Sequence, residues 1–458
     1  MALVGVVAVV AAALGIGVPS TFGAHVAVDE PQYLLTALSL AEDRSLDISD
    51  ELAERRWVPW GGAELPVQTE VLDGGAQISP HDPLLPIVLA IPMGLGGWVA
   101  AKAVMALMAG ALAVLTLWTA VRRFAVPPKI ATAGVAVAAA SAPLAVYGQQ
   151  VYPEVPAALA AVGAVALLGT PRIWAFAAVV SALPWLSVKY VPVALALAAV
   201  GLWRTRSKVL LAGFAVMGVL YLVVHRLIWG GWTVYASGDH FQNSGEWGVM
   251  GFAPDLAGRA LRLTGLLVDQ GYGLAAWQPA WLLLVPAVAL GIRRVSLVLP
   301  PPAAGQLSVL PPAAGRRSVL PLAAGWLLVL PLAAGWLTAT FAAVTMHGFW
   351  WPGRQLVVVL PLALILILCW LDRPWKRVAA AALGLSGVLT YAWLVADGLA
   401  GRITWVSGFQ EVASPVYQAV ANVLPDYRRP GFWPLHLAWA AVLVLLFTIN
   451  LRKSHVRA

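Results

Sequence analysis

Charge is scarce in this chain. Only 11% of its 458 residues are Asp, Glu, Lys or Arg, while 60% are hydrophobic. A soluble domain carries about 25% charged residues, because its surface has to be solvated. Most of the surface here must meet something other than water, and lipid is the medium that fits. Cysteine is nearly absent too: Cys369, inside an apolar run, is the only one. Neither an intrachain disulfide nor a thiolate metal cluster can form, so exported loops must be held by packing and hydrogen bonds. The sequence also lacks a P-loop, a dinucleotide fingerprint behind a strand, an HExxH motif and any cytoplasmic domain. Nucleotide-dependent chemistry on an inner face has nowhere to sit. The net charge of +8 does not indicate nucleic acid, since the basic residues form short clusters between apolar runs rather than one stripe.

What the chain has in abundance is apolar runs, and with a mean hydropathy of +0.81 they predict an all-α polytopic membrane protein. Residues 1–458 read as a single transmembrane domain of about 12 helices. The runs are 2–18, 98–121, 130–147, 155–168, 173–188, 191–203, 209–228, 279–292, 319–345, 356–371, 378–396 and 434–451. The first lacks a basic flank and a cleavage site and reads as a span rather than a signal peptide. The segment 83–97 is apolar but short and interrupted by Pro86 and Pro92, which suits a re-entrant or interfacial segment. It closes a large first extracytoplasmic loop, 20–97.

Charge tests this layout. With the N-terminus inside, the inner loops collect the basic clusters around Arg122, Arg123, Lys129, Arg204, Arg206, Arg293, Arg316, Arg377 and Arg457, as the positive-inside rule expects. Both termini are then cytoplasmic, in a plasma membrane. Of 21 Asp and Glu, Asp372 alone falls inside. The first loop holds many of the others, including Asp29, Glu30, Asp43, Asp50, Glu51 and Asp82. Solvation of a folded loop explains most of them, but not Asp29 and Glu30, close to the end of the first span. Pro31 suits a helix start with Glu30 as its cap. Leu34, Leu35, Leu38 and Ala41 then recur at helical spacing opposite Gln32, Ser39 and Asp43. That pattern predicts an amphipathic helix on the outer leaflet, pinning the acidic pair at the membrane surface. Further on, a near-decapeptide repeat (VLPPPAAGQLS, VLPPAAGRRS, VLPLAAGWLL, VLPLAAGWLT) fills 298–338 and reads as a local duplication.

The stretch AVDEPQYLLTALSLAEDRSLDIS, behind one N-terminal span, resembles the start of the GT-C glycosyltransferases. This is the superfamily of the protein O-mannosyltransferases and the lipid A aminoarabinose transferase. HDPLLPIVLAIPMGLGG, YGQQVYPEVPAAL, LPWLSVKYVP, DQGYGLAAWQPA and HGFWWPGRQ follow in the same order. The excess of Arg over Lys suits a GC-rich, actinobacterial member. The resemblance implies an enzyme that moves a sugar from a polyprenyl-phosphate donor to an acceptor hydroxyl on a glycan, lipid or protein, outside the cell and with inversion. Asp29 would then be the general base, and Glu30 would orient the acceptor or help hold a divalent cation, the one cofactor the chemistry admits. One carboxylate suffices, because a phosphate leaving group needs no general acid. The departing phosphate calls for cations near the outer surface. Lys189 with Tyr190, and Arg354, are placed for it, although snorkelling side chains at helix ends read the same way. His81 with Asp82 offers a second place for metal or phosphate, or simply a helix entry before Pro83. Glu154 at a span start suits either the site or the helix dipole. His240 and His347 are lone histidines in outer loops, and Trp229, Trp232, Trp277, Trp350, Trp351 and Trp433 read mainly as an aromatic belt. The competing class is a secondary transporter or lipid-linked-sugar flippase, against which mid-span charge is nearly confined to Lys102.

Overall fold

The structure, a computed structural model, describes the chain except residues 63–64, 66–67, 73, 234–255, 297–323, 344–345, 407, 429–432 and 453–458. His240 and the earlier repeat copies lie outside the described residues. The described chain is all-α apart from a two-residue antiparallel ladder, Glu70–Val71 with Gln77–Ile78. Helices α1 (Ala2–Leu14), α2 (Glu30–Glu42), α3 (Ser49–Ala53) and α4 (Val58–Gly61) are followed by the long α5 (Leu84–Phe124). Then come α6 (Pro128–Ala139), α7 (Leu144–Tyr147), α8 (Glu154–Leu167), α9 (Ile173–Leu186), α10 (Val191–Thr205) and α11 (Lys208–Trp229).

Among the described residues, five helices have the length and apolar composition to cross a membrane: α5, the segment Val188–Thr205, α11, Pro374–Leu399 and Trp433–Arg452. Shorter apolar helices, α1, α6, α8, α9, Pro279–Ile292, Leu327–Ala342 and Leu360–Trp370, occupy the remaining expected runs. Two of the long helices keep most of their apolar side chains exposed. Trp433–Arg452 buries Leu443, and α11 buries only Leu210, Tyr221, His225 and Trp229. Apolar faces of that length suit lipid rather than water.

The segment 83–97 is helical and runs into the span 98–121 as one 41-residue helix with a break at Gly96 and Gly97. Gly97 sits at φ +61, where a Cβ would be strained, so the break is encoded by glycine. The arm before the break packs Leu85, Leu89 and Met93 inward at four-residue spacing and leaves Ile87, Ile91 and Leu95 exposed. Its inner face meets α2, and at Gly94 an added Cβ would lie 3.0 Å from Ala41.

Helix α2 departs from the expected amphipathic surface helix: every residue from Glu30 to Ser39 is buried. Two of its buried hydroxyls bond to nearby carbonyls. Thr36 donates to the Gln32 carbonyl at 2.9 Å, and Ser39 donates to the Asp47 carbonyl at 2.7 Å. The first loop folds over one side and the α5 arm over the other. Each leucine so buried contributes about 1.5–3 kcal/mol, which fixes the helix firmly. The tryptophans also divide. Trp232 and Trp433 are exposed as a belt requires, whereas Trp277 and Trp351 are fully buried, 4.8 Å apart, in an aromatic core with Phe409 and Tyr417. Trp229 is buried as well, donating to the Ser79 carbonyl at 3.0 Å.

Candidate active site

Four residues from distant parts of the chain converge. Asp29 stands at the N-cap of α2, its side chain capping nothing, so Glu30 is the first helical residue rather than the cap. Glu154 opens α8, where a first-turn carboxylate is favoured by the helix dipole. Lys189 lies on the 3₁₀ turn Val188–Tyr190 between α9 and α10. Arg354 opens another 3₁₀ turn, Arg354–Leu356, directly after Gly353 at φ +84. A Cβ at Gly353 would lie 2.8 Å from Leu274, so glycine lets this turn approach closely enough to send Arg354 inward.

The guanidinium joins the set. Arg354 Nε donates to Glu154 Oε1 at 2.9 Å, and its Nη2 donates to Asp29 Oδ2 at 2.5 Å. Lys189 Nζ donates to the same Glu154 oxygen at 2.7 Å. The Tyr152 ring stacks against Arg354, 4.1 Å from the guanidinium carbon, with Trp350 at 5.5 Å. Arg354 is therefore no snorkelling side chain, since it is buried and pairs inward. Glu154 is fully enclosed, whereas Asp29 keeps 17% of its side chain exposed and Lys189 22%. The accessible edge thus presents one acid and one cation. Gln68 Nε2 donates to the other Asp29 oxygen at 3.3 Å. Burial pushes the Asp29 carboxyl up. The charges of Arg354 and His81, the Arg354 hydrogen bond and the charge of Lys189 outweigh it and hold the group down at about 2.

Glu30 is set apart from this cluster. Its Oε2 accepts from Ser20 Oγ at 3.0 Å and the Ala27 amide at 3.2 Å, and its Oε1 from the Val151 amide at 2.9 Å. Lys102, equally buried, sits 3.4 Å away and also donates to the His25 carbonyl and Gln149. Both oxygens are occupied, so Glu30 braces the loop against α5 and the α7–α8 turn instead of facing a ligand. The mid-span charge of Lys102 is absorbed the same way.

Asp82 does not join His81 in a common site. Its Oδ1 accepts from Tyr221 and contacts His225 Nε2, both at 2.9 Å, and its Oδ2 accepts from the Val188 amide at 2.8 Å. These contacts tie the start of α5 to α11 and to the Lys189 turn. His81 stacks on Tyr33 with ring centroids 4.5 Å apart. Glu30, His81 and Asp82, the expected metal set, do not converge. The group with convergent ligand atoms among the described residues is Asp43, Asp50 and Glu51. Tyr190 is buried beside Lys189, whose ammonium lies 5.2 Å from its ring centre.

Sequence reasoning missed the supports of the cluster. Tyr152 lies in the quoted YGQQVYPE stretch, but nothing there marks its ring as the platform for Arg354. Gln68 carried no signal. His347 is not lone: it faces Asp269 at 3.4 Å. Asp269 in turn accepts from the amides of Gly271, Tyr272 and Tyr427, organising the DQGYG turn. His347, Tyr272, Phe349, Phe409, Gln410 and Glu411 help line a cavity of about 440 Å³. Compared with family models, with curated proteins and with solved structures, the chain has no match.

Proposed function

We propose that this chain is a multi-pass plasma-membrane glycosyltransferase of the GT-C type, using a polyprenyl-phosphate sugar outside the cell. The observation that carries the reading is the meeting of Asp29 with Arg354, Glu154 and Lys189, two carboxylates and two cations gathered from four separate parts of the chain. About 12 spans with inner termini would put this end at the outer surface, where a lipid-linked donor presents its phosphate.

The cluster suits the chemistry. Two carboxylates balance two cations, so an arriving phosphate competes with Asp29 for Arg354 and with Glu154 for Lys189. As the cations turn to the phosphate, Asp29 loses the partner that depresses its basicity and becomes a better acceptor for the acceptor hydroxyl proton. The acceptor oxygen forms a bond to the anomeric carbon from the face opposite the phosphate. The carbon–oxygen bond to phosphate breaks with its electron pair going to the leaving group, which Arg354 and Lys189 neutralise. The proton ends on Asp29. Glu154 holds both cations from behind, and Glu30 positions the start of α2. The aromatic cavity beside Tyr272 and Phe349 has the lining of a sugar-ring site.

Purified protein incubated with radiolabelled polyprenyl-phosphate sugars tests this reading. Acceptor-dependent release of polyprenyl phosphate supports it. A transporter or flippase is the second reading, favoured by the buried Asp82–His225–Tyr221 group between α5 and α11. Counterflow in liposomes without donor cleavage would establish that class instead.

A further inference from the structure

The first loop contains a second concentration of charge, away from Arg354. Helix α2 is followed directly by Asp43, and α3 contains Asp50 and Glu51. One ligand atom from each lies within 4.8 Å of the others, with Asp43 and Asp50 exposed and Glu51 buried. Acidic groups on solvated loops signify little by themselves. Glu51 makes this one different: it is 2% exposed, and neither of its buried carboxylate oxygens has a hydrogen-bond partner. It is nonetheless directed at two further carboxylates. Arg56, close by, is engaged by Glu42 at 2.9 Å and Glu54 at 3.4 Å. A buried carboxylate that faces two others is costly, and a cation among the three relieves it.

We propose that Asp43, Asp50 and Glu51 form a divalent-cation site, with Ca²⁺ as its ligand. All three donors are hard carboxylate oxygens, which excludes the softer metals that prefer nitrogen or sulfur. Oxygens up to 4.8 Å apart fit the span of about 5 Å across a Ca²⁺ ion with bonds of about 2.3–2.6 Å. Mg²⁺, at about 2.0–2.1 Å, demands a tighter octahedron. The two exposed carboxylates leave room for the waters that complete seven- or eight-fold coordination, roughly.

Such an ion joins the end of α2 to α3. This stretch is otherwise held by the Ser39–Asp47 hydrogen bond and by the Ile48 amide donating to the Gln77 carbonyl at 2.8 Å. Because α2 carries Asp29 at its other end, the cation stiffens the base of the helix that presents the acidic edge. The inference does not depend on the transferase reading.

The test is calorimetric titration of the full-length, chelator-stripped protein in detergent with CaCl₂ and, separately, MgCl₂. One Ca²⁺ per chain is expected, tighter than Mg²⁺, with a rise in the thermal unfolding midpoint at saturation. Asp50→Asn and Asp43→Asn, both at exposed positions, should weaken binding by about 10-fold or more while leaving the fold intact. Glu51→Gln should abolish it. No binding by the wild type at concentrations up to about 10 mM, the weak end of extracellular Ca²⁺ sites and beyond, overturns the proposal. So does affinity unchanged in both Asp43→Asn and Asp50→Asn. A Glu51→Gln protein that is more stable than a calcium-indifferent wild type would mark Glu51 as a proton holder instead, and the site would be withdrawn.

Discussion

Replacing Arg354 by alanine removes the one group that touches both acids of the cluster. Glu154 is completely enclosed and would keep only Lys189, while Asp29 would keep Gln68 and the more distant charges of His81 and Lys189. Removing one partner from a buried ion pair typically costs about 3–5 kcal/mol. Water entering along the 17%-exposed Asp29 edge softens that, so the lower end, about 3 kcal/mol, is expected. Arg354→Lys should recover roughly half, since one ammonium replaces a fork whose two nitrogens serve two different carboxylates. The decisive comparison is a double-mutant cycle with Glu154→Gln. In the Arg354→Ala background Glu154 is left with Lys189 alone, so this second change should cost less than it does in the wild type, giving a coupling of about 1–3 kcal/mol. Equilibrium denaturation of the four purified proteins in one mild detergent, followed by tryptophan fluorescence, measures it. Additivity within about 0.5 kcal/mol would refute the claim that Arg354 and Glu154 form one buried unit.

Asp29 makes a pH prediction with a definite sign. Its folded pKa of about 2 lies below the usual value of about 3.9 for an unfolded chain. Its contribution is therefore complete above about pH 4 and lost as pH falls towards 2. Asp29→Asn should flatten acid destabilisation across that window, and an unchanged acid limb would contradict the ion pair. Topology is checked with single cysteines in a Cys369→Ala background and an impermeant maleimide. Glu411→Cys should label in intact cells, whereas Lys129→Cys and Arg206→Cys, both exposed positions, should label only after permeabilisation. Labelling of Arg206→Cys from outside would invert the proposed orientation.

Much of the helical framework was legible because apolar runs report helix positions directly. The expected run 209–228 and the observed Lys208–Trp229 differ only at their ends. Helix α2 is covered on both sides rather than lying at a surface, and the reason is physical. Spacing reveals which residues share a face, but not what covers the opposite one. Thr36 and Ser39 satisfy their hydroxyls on nearby carbonyls, so a polar face could be buried without charge. At the candidate site, charge beside span ends singled out Asp29, Glu154, Lys189 and Arg354 one by one. Their pairing was not legible: Asp29 and Arg354 are 325 positions apart, and the contact depends on the Gly353 turn and the Tyr152 ring. Glu30 and Asp82 carried the same sequence signal as Asp29, and only their hydrogen bonds separate bracing carboxylates from an accessible one. Trp277 and Trp351 look like belt residues by position, yet they fill a core beneath the loops.

In the proposed reaction Asp29 accepts the acceptor proton during transfer from a polyprenyl-phosphate sugar. Asp29→Asn keeps the size and polarity of the side chain and removes only the base. The most direct measurement is therefore acceptor-dependent release of polyprenyl phosphate by purified wild-type and Asp29→Asn proteins, each first shown to be folded and to bind donor. A loss of about 10²–10⁴ in rate is expected, with donor binding retained. Transfer by Asp29→Asn at close to the wild-type rate would contradict it.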